Sequence, residues 1–308
     1  MIASGREPVG EDLNGGERER QRGDLRVTAA ELLDHLTTRF ARAGIGSPRT
    51  DARWLLQHVL GWSAADLALS GTRTLSAGQV RAVQALADRR TAREPLQLVL
   101  GGTSFRGHEL TLRAGVFIPR PETELLVDLV LAALPAGGRV VETCCGSGAI
   151  ACAVAVERAD AHVTAIDRDR AAVDLTAANA AALGARVAVL QGELLDPVPP
   201  ALRGDVDVVV ANPPYLATGE VATLEPEVRD WDPPTALVAG PTGHEVSDAL
   251  ITCAPPYLTP GGALLLELEE RRVPEAAARA ERAGFDPVRI HEDLTGRPRF
   301  VSARRPPG

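Results

Sequence analysis

The sequence predicts an α/β fold, a doubly wound and mostly parallel sheet preceded by a small helical domain. Three observations carry this. Five short apolar runs, at 140–142, 163–167, 187–190, 206–210 and 263–268, are separated by stretches with helical character, which is the pattern of parallel strands joined by right-handed crossovers. Two further runs, at 288–291 and 300–303, follow the last helical stretch and read as a closing antiparallel pair. Before residue 95 the apolar residues recur with a helical period instead.

Residues 1–24, "MIASGREPVGEDLNGGERERQRGD", combine charge and glycine without apolar periodicity and are expected to be a disordered tail. Residues 25–94 are expected to form a small helical domain. Thr28 with Glu31 makes a capping box, and Leu32, Leu36 and Phe40 lie on one stripe that closes at Gly44. Ser47 is the expected cap of a second helix, with Pro48 in its first turn and Gly61 at its end. A third helix follows from "SAGQVRAVQALADRRTAR". Residues 95–118 change period around Phe105, Leu110 and Leu112 and are broken by Gly107, a linking β-hairpin. The remaining domain, 119–308, opens with a helix near Pro121 and continues as the α/β sheet.

The 308 residues, 45% of them hydrophobic, suffice for about two domains. The four cysteines, at 144, 145, 152 and 253, lack zinc-type spacing, so no metal is expected. Their use fits a reducing cytoplasm. There is no apolar run of membrane-spanning length and no signal-peptide core at the start. Charge is uneven. Residues 25–98 carry ten Arg against six acids, a net of +4, while 99–308 carry nineteen Arg against twenty-nine acids, a net of −10. Aromatic residues are 3% of the chain, too few for a stacking platform on single-stranded nucleic acid. No heptad or edge-pairing segment stands out, so a monomer is expected.

Chemistry concentrates at the carboxyl ends of the predicted strands. "ANPPYL", 211–216, follows the apolar run at 206–210. Its prolines fix the chain direction, and the carbonyls of the loop and of the Asn212 side chain form a cluster of acceptors where open α/β sheets bind ligands. Upstream, "VVETCCGSGAIA" sets Gly146 and Gly148 between a strand and a helix. The dinucleotide pattern G-x-G-x-x-G fails, because Cys144 and Ala151 stand where its first and third glycines fall. Glu142 before the turn would repel a pyrophosphate but suits a cation, and Asp167 ends the next strand, where a ribose diol is bound. Together these favour S-adenosylmethionine over a dinucleotide, with Glu193 toward the adenine. Two acceptors, the Asn212 side chain and the Pro213 carbonyl, can hold an amide or exocyclic amine whose delocalised lone pair is a poor nucleophile. Pro214 and Tyr215 can pack against the flat group.

With these residues on the page, the chain is similar to the peptide chain release factor glutamine N5-methyltransferase family over roughly residues 25–305. The similarity rests on "REPLQLVLGGTSFRG" at 93–107, "VFIPRPETELLV" at 116–127, "NPPYL", "LEPEVRDWDPPTALVAGPTG" at 224–243 and the terminal "AGFDPVRIHEDLTGRPRFV". The resemblance implies a Rossmann-like, seven-stranded class I S-adenosylmethionine-dependent methyltransferase fold with an N-terminal helical domain. It also implies methylation of the glutamine side-chain amide in the Gly-Gly-Gln loop of release factors, with S-adenosylhomocysteine as product. On that pattern Asn212 and Pro213 hold the glutamine amide, and Phe117 and Tyr215 line its pocket. Arg120 and Glu124 shape the wall, while Glu142, Cys144, Gly146, Gly148, Asp167 and Asn212 border the cofactor. The family's "D-x-G-x-G-x-G" reads "ETCCGSG" here, so Cys144 replaces a glycine. Other readings stay open: a paralogue acting on a ribosomal or other glutamine-containing protein, a nucleic-acid adenine N6-methyltransferase, and a non-catalytic binding protein. The second lacks any basic target-recognition segment after Tyr215, so no nucleic-acid substrate is expected.

Overall fold

The computed structural model describes residues 27–307. The tail expected at 1–24 lies outside the described residues. The chain divides into two compact units between Ala92 and Arg93.

The first unit holds α1 (Ala29–Arg42), α2 (Pro48–Leu60), α3 (Ala64–Leu69) and α4 (Ala77–Thr91). Thr28, Ser63 and Ser76 each close a capping box with the residue three positions on, satisfying backbone donors that the first turn leaves unpaired. Ser47 does not cap α2. Its hydroxyl donates to Asp51 Oδ1 at 2.7 Å instead, and Asp51 in turn takes the buried Arg90 guanidinium at 2.8 Å. Leu32, Leu36, Phe40, Leu55, Leu56 and Val83 make the core. Helix α3 escaped the sequence reading because six residues are too few to establish a period.

The second unit begins with a short helix, α5 (Leu96–Leu100), and a hairpin of β1 (Gly102–Phe105) and β2 (His108–Thr111) paired Phe105 to His108. The hairpin is therefore shorter than the span 95–118, and "LQLVL" is helical. Next come α6 (Thr123–Ala133), β3 (Arg139–Thr143), α7 (Ala149–Glu157), β4 (His162–Asp167), α8 (Arg170–Leu183), β5 (Val187–Gln191) and β6 (Val206–Ala211). A two-stranded parallel pair, β7 (Leu216–Ala217) and β8 (Val238–Gly240), brackets two single-turn helices, α9 (Pro226–Arg229) and α10 (Pro234–Leu237). The chain ends with α11 (Glu245–Cys253), β9 (Leu258–Glu267), α12 (Val273–Arg282), β10 (Val288–Glu292) and β11 (Pro298–Arg304).

Seven of these strands form one sheet in the order β10-β11-β9-β6-β3-β4-β5. Pairing is parallel from β9 through β5, and β11 runs antiparallel to both β9 and β10. This is the seven-stranded class I methyltransferase arrangement. Its central strands are apolar on both faces because helices cover both. Val140, Val163, Val208, Val210 and Leu265 pack with α6 and α7 on one side. Val141, Ile166, Val209, Leu264 and Leu266 pack with α11 and α12 on the other. Connections diverge from β3 toward β4 on one side and β6 on the other, so a crevice opens at the carboxyl ends of these three strands.

Candidate active site

Five segments supply the main walls of the crevice. The turn after β3 supplies Thr143, Cys144 and Gly146, the end of β4 supplies Asp167, and the loop after β5 supplies Glu193 and Leu194. Asn212 and Pro214 follow β6, and Phe117 comes from the link between hairpin and α6.

The turn after β3 needs three left-handed residues. Gly146 has φ 55° and Gly148 has φ 76°, and a Cβ on Gly148 would stand 2.6 Å from the Thr176 side chain. Cys144 has φ 56° although it is not glycine, a conformation that costs an L-residue about 1–2 kcal/mol. The glycine that the family motif places here thus answers a backbone demand which this chain meets under strain. Burial pushes the Cys144 thiol up to about 12, with Asp167 adding to the effect, so it is a wall rather than a nucleophile.

Helix α8 clamps the turn from outside. Thr176 Oγ1 donates to the Gly146 carbonyl at 3.0 Å, and Asn179 Nδ2 donates to the Ser147 and Thr111 carbonyls at 2.9 and 3.1 Å. Asn179 Oδ1 also accepts from Thr111 N–H, tying the hairpin to the cofactor turn. Neither residue stood out in the sequence, since each acts on a partner at least thirty positions away.

Asp167 takes Gly146 N–H on Oδ2 and Asp169 N–H on Oδ1, both at 2.9 Å. Burial raises its pKa against these two bonds. Each oxygen keeps a free lone pair for ribose hydroxyls. Glu142, by contrast, does not line the crevice. It is 2% exposed behind the turn, with Oε2 accepting Ala151 N–H of α7 at 2.8 Å. Burial pushes its carboxyl up to about 8, with the Asp167 charge adding to the rise. Its place is structural, joining β3 to the start of α7. Glu193 is exposed on the rim, 3.9 Å from Arg168.

On the acceptor side, Asn212 Nδ2 donates to Thr123 Oγ1 at 3.4 Å, which leaves Oδ1 as the free acceptor. The Pro213 carbonyl accepts no hydrogen bond among the described residues. Pro213 is buried and Tyr215 half-buried, and neither lines the crevice itself. Tyr215 instead has its hydroxyl 3.3 Å from Arg299 Nη2. Phe117 lies 5.0 Å from the Arg120 guanidinium, and Arg120 Nη2 pairs with buried Asp232 Oδ2 at 2.6 Å. Glu124 is turned away from this wall. Its Oε1 accepts Arg106 N–H at the hairpin tip at 2.9 Å, where Arg106 has φ 50°.

The 224–237 segment closes the wall beyond Phe117. Arg93 pairs with Glu227 at 2.5 Å, Trp231 packs on Leu98, Leu112 and Ile118, and Arg168 donates to the Thr235 carbonyl.

A glycine turn without a phosphate-binding pattern, a ribose-competent Asp and a polar acceptor loop define a methyltransferase of the S-adenosylmethionine-dependent class. Residues 31–101 match the PrmC N-terminal domain, and residues 110–225 match the methyltransferase small domain. The release factor glutamine methyltransferase of Deinococcus radiodurans is 42% identical over 281 residues, covering 90% of this chain and 99% of its own. Those of Rhodospirillum rubrum and Mycolicibacterium smegmatis are 36% and 38% identical, over 96% and 89% of this chain and 90% and 96% of theirs. The chain belongs to the release factor glutamine methyltransferase family. Its cofactor is S-adenosylmethionine, and the crevice fits it. The turn at Gly146 and Gly148 gives close backbone approach, and Asp167 is open to the ribose.

Proposed function

We propose that this protein methylates the side-chain amide nitrogen of the glutamine in the Gly-Gly-Gln loop of peptide chain release factors. The observation that carries the reading is Asn212, whose amide donates to Thr123 so that Oδ1 stays free in the crevice it shares with Phe117, followed in the chain by the unpartnered Pro213 carbonyl. When bound, S-adenosylmethionine supplies a methyl carbon activated by a positive sulfur. The protein's part is to hold the glutamine NH2 by two acceptors, so that its lone pair is directed at that carbon and the released proton has a polar exit. No strong base is required, and alignment with fixed dipoles does the work.

Among the described residues no helix is long and apolar enough to cross a membrane. A cytoplasmic, monomeric enzyme is part of the proposal, as is a protein substrate in preference to nucleic acid. The net charge of −8 supports the latter. The test is incubation of the purified protein with labelled S-adenosylmethionine and each release factor, mapping the modified peptide by mass. Methyl on the Gly-Gly-Gln glutamine is expected. Label only on another protein, or on adenine, would overturn the assignment. Asn212→Ala should keep cofactor binding and lose turnover by about 10²-fold or more, whereas a non-catalytic binding protein would show no turnover to lose.

A further inference from the structure

We propose that Asp232 is a positioning residue for methyl transfer, holding two wall segments together and setting the Phe117 ring through Arg120. The proposal deepens the reading of the site given above and rests on it. Asp232 lies between α9 and α10, and Pro233, Thr235 and Ala236 just beyond it line the crevice. Gly115, Val116 and Phe117 line the same crevice from the link before α6. The Asp232 carboxylate joins these two stretches. Its Oδ2 takes the Arg120 guanidinium at 2.6 Å, and its Oδ1 faces Ile118 N–H at 3.4 Å. Phe117 is thus followed by two tethers, one on the backbone of the next residue and one on the side chain three positions on. The second tether reaches the ring itself, because the guanidinium sits over it, 5.0 Å from its centroid.

Direction is what the arrangement supplies. An aromatic side chain on a crevice wall can turn to another rotamer unless something fixes its plane. A guanidinium stacks on an aromatic face, so a tethered Arg120 takes one face of Phe117 and leaves the other for the crevice. The acceptor amide is flat as well, and a flat group is aligned best by a ring whose plane is fixed. Stability alone does not call for the ion pair. A buried pair seldom stabilises a fold more than packed apolar side chains would, and burial works against the Asp232 charge. Apolar packing is already present beside it, where Trp231 meets Leu98, Leu112 and Ile118. What the short charge-assisted bond adds is an orientation that apolar contact does not specify.

The chain has five phenylalanines, at 40, 105, 117, 285 and 300, and all but Phe117 are at most 3% exposed. Fluorophenylalanine labelling therefore isolates the Phe117 signal by 19F NMR without any substrate, with Phe117→Leu assigning it. Asp232→Asn keeps the size of the side chain and removes its charge. It should shift the Phe117 signal and leave the four core signals in place, which also reports that the protein is folded. Arg120→Lys is the second variant. It keeps a cation for Asp232 and strands no buried charge, but it has no plane to lay on the ring, and it should move the same signal. With the full-length enzyme and a release factor, each variant should lower kcat about tenfold to a hundredfold, the scale of a small misplacement of a reacting group. S-adenosylmethionine affinity should hold, and the double variant should be no slower than the slower single one. An unmoved Phe117 signal in folded Asp232→Asn protein would overturn the proposal. So would wild-type kcat in Arg120→Lys, which would leave Asp232 a counterion of structural use only, and so would a loss confined to cofactor affinity. If the wild type methylates no release factor, the functional reading fails, while the 19F comparison still decides whether Asp232 sets the ring.

Discussion

Glu142 offers the sharpest separation between what sequence and structure say of the site. The motif places an acid at the cofactor, whereas the fold puts this carboxyl behind the turn against Ala151 N–H. Burial, assisted by the Asp167 charge, raises it from an ordinary 4.5 to about 8. The folded state therefore holds the proton more tightly than the unfolded chain. Stability from this group is whole below the unfolded value near 4.5 and is lost as pH rises toward about 8, above which both states are ionised and the loss stops. Three and a half decades of proton affinity, at about 1.4 kcal/mol each, put the full loss near 5 kcal/mol. Glu142→Gln keeps the oxygen that meets Ala151 N–H and cannot ionise. Urea unfolding of both proteins at about pH 5 and about pH 9 should show the variant gaining about 4 kcal/mol relative to wild type across that span. S-adenosylmethionine affinity should be nearly unchanged. Parallel pH dependences would refute the burial argument, and a large loss of cofactor affinity would return Glu142 to the cofactor's wall.

Two further outcomes follow from the same geometry. Cys144→Gly and Cys144→Ala both remove the thiol, but only glycine relieves the left-handed backbone. The glycine variant should be the more stable of the two by about 1 kcal/mol in urea unfolding. Arg120→Ala strips the counterion from Asp232, whose side chain is 1% exposed, and should cost about 3 kcal/mol at neutral pH. Burial already raises the Asp232 pKa against the pull of Arg120. The cost should therefore shrink as the pH falls and Asp232 takes up a proton, and a cost independent of pH would argue that Arg120 acts through packing on Phe117 alone.

The sheet was legible because its central strands are continuous apolar runs, and the strand ends that carry Asp167 and Asn212 followed directly from them. Short elements were not. "LQLVL" satisfies the strand and helix periods equally over five residues, and α11 went unread although Val246, Ala249, Leu250 and Cys253 recur at helical spacing over its two and a half turns. Ser47 has the right residue type for a cap, yet its hydroxyl is claimed by Asp51. Residue type located the acceptor loop and the cofactor turn, but could not show which way a carboxylate faces. Hence Glu142 and Glu124 were placed at the cavity and lie elsewhere. The supporting residues Thr176, Asn179, Asp232 and Arg299 were silent for another reason. Their partners are 30 to 114 positions distant, and only the folded sheet brings them together.

The two ends of the crevice make opposite electrostatic demands, and the charge layout meets both. At the cofactor end a carboxylate belongs in the wall. Asp167 spends one lone pair of each oxygen on a backbone N–H and still has capacity for a diol. At the acceptor end an anion would be counterproductive. Positive charge near the methyl group is greatest before transfer and is dispersed as the new bond forms, so a carboxylate touching it would stabilise the reactants more than the transition state. On the proposed reading, a neutral side-chain oxygen on Asn212 and a proline carbonyl would hold the amide without that penalty. A buried acid on the neighbouring strand, Glu267, is compensated by Arg299. An aspartate at position 212 would keep the shape and the acceptor, but would lose the NH2 that Thr123 receives and bring the charge forward to the methyl group, which is why an amide is the chemistry this loop requires.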